Sequence, residues 1–130
     1  MTHARNRTLA GLTGLLLTLL GSAAMAQTER PACFNLSDMG NHTVGDDKTL
    51  YVAVRHREVY RLDMAGACLN RANFGDPLVV EVFGGGDRIC RPLDLNLSVL
   101  DGIGQSPCIV KKISRLSASQ AAALPKKLRP

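Results

Sequence analysis

The chain has 130 residues, with 16 lysines and arginines, 11 aspartates and glutamates, and no tryptophan. This length predicts a single domain, and the excess of positive charge is too mild for a nucleic-acid-binding protein, which usually carries a dense basic patch. Only five residues are aromatic. A modest core built on valine, leucine and isoleucine would gain from covalent crosslinks.

The first 26 residues have the order of a secretory signal peptide. Two arginines precede an apolar run, Leu9 to Leu20, and Ala24-Met25-Ala26 is a small-x-small cleavage pattern. The alternative is a membrane anchor, but the run is shorter than the roughly 20 residues that cross a bilayer. Cleavage before Gln27 would leave 104 residues with a net charge of +3 and no transmembrane segment. The sequence therefore predicts a periplasmic or secreted domain, residues 27–130.

The first elements predicted in this domain are strands. Weak periodicity from Cys33 to Lys48 indicates a short strand followed by a loop. Apolar and polar residues then alternate in Leu50–Val54 and Val59–Met64, on either side of the polar "RHRE", which predicts a hairpin. One apolar and one mixed face are typical of a half-solvated antiparallel sheet. The β-branched "LVVEVF" predicts the next strand.

The stretch "GGGDRIC" after that strand has two interpretations. A phosphate loop needs glycines that lead into a helix, and its Walker form also needs Gly-Lys-Ser/Thr. Here no lysine follows, and "RPLDLNLSV" is strand-like. The glycines therefore predict a tight or bulged turn with positive φ angles.

The C-terminal part is predicted to contain two strands and a helix. Strict alternation from Leu93 to Val99 predicts a strand, with Pro92 at an edge or bulge. The loop "DGIGQSP" follows, and then the strand "CIVKKISRL", with Ile109 and Ile113 on one face and Val110 on the other.

The last element is a short helix. Ser117 and Gln120 form a capping-box pattern, Pro125 should stop the helix, and the basic tail from about residue 126 is predicted to be frayed. The predicted fold is mostly β: about six antiparallel strands in a small sheet, sandwich or partly open barrel, with one short C-terminal helix.

Four cysteines, an even number in a short exported chain, predict disulfides. They are Cys33, Cys68, Cys90 and Cys108. Three pairings are possible, and we favour Cys33 with Cys108 and Cys68 with Cys90, which would tie the start of the domain to its last strand. The gaps of 35, 22 and 18 residues lack the short spacing of redox or zinc motifs. We therefore predict no metal and no cofactor.

Two polar clusters are possible sites. The basic cluster, Arg55, His56, Arg57 and Arg61, could meet an anionic partner such as lipid headgroups, with help from the lysines near the C-terminus. The favoured alternative is a solvated edge that charge keeps from aggregating.

The second cluster is Ser37, Asp38 and His42, followed by Asp46 and Asp47. These residue types can form a nucleophilic site, but such sites are recognised by geometry rather than spacing. They suit a polar loop equally well, and we predict no catalytic residues.

Three stretches, "DDKTLYVAVRHREVYRLDMAGAC", "RICRPLD" and "CIVKKISRLSASQAAALPKKLRP", together resemble a family of small exported proteobacterial proteins with four cysteines and no assigned function. The shared pattern is a signal peptide, a tyrosine-bearing hairpin ending at a cysteine, an Ile-Cys strand and a final Cys-x-Val/Ile strand. The resemblance covers most of residues 33–130. It implies an envelope location and implies no reaction, cofactor or catalytic residue.

These observations favour a non-catalytic binding or structural accessory of the cell envelope. Its partner would be an envelope protein or an anionic surface, reached through the basic hairpin or by strand addition at a sheet edge. One alternative is an inhibitor of a secreted hydrolase that uses the loop Gly84–Asp87. A Cys-dependent redox or metal-binding protein is the other, and it would need a reactive thiol.

Overall fold

The computed structural model of the chain describes residues 32–73 and 75–130. In those residues it contains nine strands, one α-helix and four single-turn 3-10 helices. The strands are β1 (Phe34–Asn35), β2 (Met39–Asp46), β3 (Thr49–Val54), β4 (Glu58–Met64), β5 (Leu78–Val82), β6 (Arg88–Ile89), β7 (Leu95–Asp101), β8 (Gly104–Cys108) and β9 (Val110–Arg115), and the helix is α1 (Ala118–Ala123). The predicted mostly β fold with one short C-terminal helix is confirmed. The predicted signal peptide lies outside the described residues.

Strands β2, β3, β4 and β9 form a four-stranded antiparallel sheet in that order. The predicted hairpin is its centre, because β3 pairs with β4 and places Leu50 opposite Leu62 and Val52 opposite Tyr60. These four side chains are buried. The alternation in the sequence therefore does mark the face that packs into the core.

The core lies between this sheet and a three-stranded antiparallel sheet of order β5-β7-β8. Leu97 and Val99 of β7 belong to the same buried cluster as the residues of β3 and β4. A two-stranded ladder of β1 and β6 adds Phe34 and Ile89, and the Phe34 ring lies 4.9 Å from the Tyr60 ring. Full burial of each such side chain stabilises the fold by about 1.5–3 kcal/mol.

The C-terminal segment lies against β2. Ser117 accepts a hydrogen bond from the Gln120 amide and the Gln120 side chain accepts from the Ser117 amide, so the predicted capping box of α1 is present. The tail, predicted to be frayed, instead forms a 3-10 turn, Lys126–Leu128. The buried Thr43 hydroxyl donates to the Leu128 carbonyl at 2.7 Å.

The predicted disulfide pairing is wrong. The bonds join Cys33 to Cys90 and Cys68 to Cys108. Cys33 meets Cys90 because each cysteine adjoins the β1–β6 ladder, in which Phe34 pairs with Ile89. Cys108 reaches Cys68 because β8 ends near the exit of β4, where the Ala65 amide donates to the Ile109 carbonyl at 2.8 Å.

Two strands occur where the sequence predicts loops. Strand β2 occupies most of the predicted loop before the hairpin, and its two register irregularities, between Met39 and His42 and between Val44 and Asp46, break the alternation that a regular strand would show. Strand β8 occupies the predicted loop "DGIGQSP" and pairs along its whole length with β7.

Two predictions about side-chain placement also fail. Leu93 lies in the 3-10 turn Pro92–Asp94 and not in the strand, so its side chain is exposed. Ile113 packs against the core together with Val110, whereas Ile109 is exposed, because a register irregularity between Asp63 and Met64 shifts the alternation of β9. In both cases the regular strand geometry is interrupted at a point that the sequence pattern does not reveal.

Candidate functional site

The end of the molecule that carries the Cys33–Cys90 disulfide brings several chain segments together. β1 and β6 pair there, and the tip of the β3–β4 hairpin reaches the same place because Arg55 binds Asp38. A cleft of about 230 Å³ opens between them. We call it the disulfide cleft, and its lining residues are Cys33, Phe34, Asn35, Asp38, Val54, Arg55, Glu58 and Arg88.

The loop between β5 and β6 is fixed beside this cleft by Asp87. The Leu36 amide donates to the Asp87 carbonyl at 2.7 Å. The Ser37 hydroxyl and amide donate to the two oxygens of the Asp87 carboxylate at 2.6 and 3.0 Å. These bonds, the hydroxyl first, lower the pKa of Asp87 below its ordinary value. The ionised carboxylate therefore fastens the loop to the turn that follows β1.

The glycines of this loop form a turn, as predicted. Gly84 and Gly85 have φ angles of 86° and 71°. A Cβ at either position would meet no neighbouring atom, so it is the backbone conformation that favours glycine there. Strand β6 follows the loop, whereas a phosphate loop would lead into a helix.

Two large apolar side chains project from this end of the three-stranded sheet. Phe83, directly after β5, is 68% exposed, and Leu93, two residues before β7, is 81% exposed. Their 3-10 turns are neighbours, because Val82 pairs with Leu95 and Cα atoms of the two turns approach within 8 Å. We call Phe83 and Leu93 the apolar rim.

The carboxylates that line the disulfide cleft have cationic partners. Asp38 accepts from Nε and Nη2 of Arg55, both at 2.8 Å. Glu58 binds Arg115 at 2.7 Å and accepts from the Tyr60 hydroxyl at 3.3 Å. Burial, and next the Glu58 charge, raise the pKa of Tyr60. The acidic groups of the cleft are therefore close to neutralised.

Arg88 is different from these paired groups. Within the described residues no carboxylate lies within 4 Å of its guanidinium, and its Nε atom donates to Cys90 Sγ at 3.4 Å. The side chain is exposed at the wall of the cleft. The cleft therefore presents a cation that can receive an anionic group of a partner.

The structure divides the predicted basic cluster. Arg55, His56 and Arg57 share the hairpin tip, and all three are exposed. Arg61 does not join them, because it lies further along β4 and binds Asp63 at 2.7 Å. Two of the three arginines are thus ion-paired, which agrees better with a solvated edge than with a concentrated anion site.

The predicted polar cluster does not assemble into a nucleophilic site. The Ser37 hydroxyl is engaged by Asp87, and His42 Nε2 lies 2.9 Å from the carbonyl oxygen of Asp76. His42 lines a separate cleft of about 420 Å³, together with Arg129 near the C-terminus. These side chains hold loops in place.

All four cysteines are in disulfides. In the described part of the chain, histidine, cysteine, aspartate and glutamate side chains form no group of three or more with metal-binding geometry. No helix in residues 32–73 and 75–130 has the length and apolar character needed to cross a bilayer.

The sequence patterns did not identify Phe83, Leu93 or Arg88 as site residues. Phe83 follows Val79 and Glu81 in the alternation, so it continues the polar face of β5 and could have been recognised as exposed. Pro92 before Leu93 could have indicated a turn, since proline at the first position favours one. Arg88 gave no such signal, because its position depends on the pairing of β6 with β1.

No protein family, curated protein or solved structure matches the chain. The family resemblance drawn from the sequence motifs therefore stays a prediction.

Proposed function

We propose that the protein is an exported, non-catalytic accessory of the cell envelope that binds another envelope protein through the apolar rim and the disulfide cleft. The observation that carries this proposal is the exposure of Phe83 and Leu93 on turns whose positions are fixed. Two disulfides support an oxidising compartment, because such bonds persist there and are rare in the cytosol.

A fixed apolar rim favours protein binding for an energetic reason. Exposed aromatic side chains often supply most of the energy of an interface. Ordering a mobile loop costs free energy on association, and a loop that is already ordered avoids that cost. The Ser37–Asp87 bonds and the Cys33–Cys90 disulfide order the loop that carries Phe83 before any partner arrives.

The charge of the cleft indicates the chemistry of the partner. Arg88 at the wall and Arg57 at the hairpin tip have no carboxylate within 4 Å in the described residues. A partner surface with an apolar centre and acidic residues at its margin would complement this end of the molecule, since complementary charge guides association.

Site-specific photocrosslinking in cells tests the proposal. A photoreactive phenylalanine analogue replaces Phe83 in one variant and Gln105 in the control. Gln105 is also exposed but lies opposite Leu100, at the other end of β7. We expect a reproducible protein adduct from position 83 and none from position 105. Absence of an adduct at position 83, or the same adducts from both positions, would contradict the proposal.

A second function is inhibition of a secreted hydrolase by the loop Gly84–Asp87. The anchoring of this loop at Asp87 favours it, because protease inhibitors insert preformed loops into their targets. Assays of a hydrolase panel with and without the protein decide the question. Unchanged activity across the panel would rule this function out.

A further inference from the structure

Four strands form the outer edges of the two larger sheets: β2, β9, β5 and β8. Three of them carry features that discourage pairing with another chain. β2 has two register irregularities. β9 carries Lys111 and Lys112, and β8 contains Pro107. β5, with the sequence "LVVEV", contains one charged residue, Glu81, and no lysine, proline or register irregularity.

The direction of the β5 hydrogen bonds follows from one bond. The Leu100 amide donates to the Pro77 carbonyl at 2.9 Å, so Pro77 and Leu100 are a hydrogen-bonded pair of the β5–β7 ladder. Such pairs alternate along antiparallel strands, so Val79 and Glu81 direct their backbone groups to β7.

The amides and carbonyls of Leu78, Val80 and Val82 consequently point away from β7. Among residues 32–73 and 75–130, no other strand pairs with β5. The side chains of the same three residues pack against the core and are still partly exposed. An added strand would satisfy the backbone groups and complete the burial of these side chains.

We propose that this edge pairs with β5 of a second copy of the chain, antiparallel and about a two-fold axis at Val80. Val80 then lies opposite Val80 of the second copy, and Leu78 opposite Val82. All outward backbone groups of the three residues are hydrogen-bonded in this register. The two three-stranded sheets become one six-stranded sheet, and the interface is isologous, as in most homodimers.

The second copy fits because β5 is complementary to itself in this register. Glu81, the one charged residue of β5, lies opposite Val79 of the second copy and not opposite another charge. Leu78, Val80 and Val82 of both copies form one apolar row on the core side. A shift by two residues would place Glu81 opposite Glu81, which is unfavourable because like charges repel across a strand pair.

This dimer does not rest on the proposed binding function, because it uses the backbone of β5 and not the apolar rim. Five residues from each copy bury less than the roughly 1,200 Å² of a standard interface. We therefore expect a concentration-dependent dimer with a dissociation constant on the order of 10–100 µM.

Sedimentation equilibrium of the purified protein, Val80→Pro and Gln105→Pro tests the dimer. Proline at position 80 removes an outward amide and leaves the β7 ladder intact. Gln105→Pro does the same at the β8 edge, where native Pro107 has the same orientation. We expect dimerisation of the wild type and Gln105→Pro, and at least tenfold weaker dimerisation of Val80→Pro. A monomeric wild type, or equal dimerisation of Val80→Pro, would overturn the proposal.

Disulfide trapping tests the register and does not depend on Val80→Pro folding. In the proposed register, positions 79 and 81 of opposite copies form a non-hydrogen-bonded pair, with Cα atoms about 4.5 Å apart, which is within disulfide range. A mixture of Val79→Cys and Glu81→Cys proteins should form a covalent heterodimer under oxidation, and neither should link to itself. Self-linking of Glu81→Cys, absence of any link, or links to a foreign envelope protein alone would overturn the proposed pairing.

Discussion

Asp94 holds the turn before β7 with a single carboxylate. One oxygen accepts from the Cys90 and Arg91 amides at 3.0 and 2.9 Å, and the other accepts from the Arg91 guanidinium at 3.1 and 2.8 Å. These bonds, with the guanidinium first, lower the pKa of Asp94 from 3.8 to about 2. The ionised form is therefore favoured in the folded state.

The first prediction concerns pH. Because the folded pKa of Asp94 lies below the unfolded value, its stabilising effect is fully present above about pH 4 and is lost as the pH falls towards about 2. Asp94→Asn should lower the free energy of unfolding at neutral pH and flatten its decline across this range. Urea denaturation at several pH values measures this.

Asp47→Asn is the control for Asp94→Asn. The Asp47 side chain accepts none of the hydrogen bonds found within the described residues, so this variant should keep the wild-type free energy of unfolding at neutral pH. A pH profile of Asp94→Asn that matches that of the wild type would contradict the prediction.

At the scale of the element, the turn of the β3–β4 hairpin contains two residues whose types disfavour its backbone conformation. The Arg57 amide donates to the Val54 carbonyl at 3.2 Å, and the two residues between them, Arg55 and His56, have φ angles of 53° and 59°. Positive φ at both central positions is typical of a type I′ turn, which favours Asn-Gly. The Arg55 amide also donates to the Asp38 carbonyl at 3.0 Å, which helps to hold this conformation.

The second prediction is that His56→Gly stabilises the protein. A non-glycine residue with left-handed φ costs about 1–2 kcal/mol. Glycine removes this cost, but it also loses more conformational entropy on folding, so only part of the cost becomes a gain in stability. We expect a net gain of about 0.5–1 kcal/mol in the free energy of unfolding, measured by urea denaturation. Arg57→Gly is the control, since Arg57 lacks positive φ and glycine at this position should not stabilise the protein.

Elements with uninterrupted local signals were predictable from the sequence. The β3–β4 hairpin shows regular alternation, β5 is rich in β-branched residues, and Ser117 and Gln120 mark the start of α1. β2 and β8 were missed because bulges interrupt the first and glycine and proline weaken the second.

The candidate site was less predictable, because it depends on contacts between distant residues. Ser37 and Asp87 are 50 positions apart, and Cys33 and Cys90 are 57 positions apart. No local pattern records such pairings. The glycine turn was predicted from its own residues, whereas the disulfide pairing required knowledge of the β1–β6 ladder, whose strands have two residues each.

At the scale of the whole molecule, the end of the chain returns to its first long strand. Arg129 donates to the Ala122 and Leu124 carbonyls at 2.7 and 3.0 Å, which closes the tail onto α1. The Thr43 hydroxyl then ties Leu128 to β2. Thr43 is 2% exposed although it lies on the face of the sheet opposite the core, so this face is partly covered and not fully solvated.

The third prediction is that Thr43→Val loosens this closure. The substitution keeps the shape of the side chain and removes the donor to Leu128, which should lower the free energy of unfolding by about 1–2 kcal/mol. Thr43→Ser keeps the hydroxyl and should lie closer to the wild type. Urea denaturation gives the stability, and the rate of trypsin cleavage after Lys126 and Lys127 reports release of the tail. Equal cleavage rates in the two variants would argue against this role.

The two disulfides overlap along the chain, because Cys68 lies between Cys33 and Cys90 and its partner Cys108 lies beyond them. If the chain crosses a membrane with its N-terminus first, Cys33 and Cys68 are the first two thiols to meet an oxidant, and the native bonds do not join them. Oxidation in order of arrival would produce a non-native bond that thiol–disulfide exchange must reopen. In a chain exported in that order, formation of the native bonds would therefore depend on isomerisation as well as on oxidation.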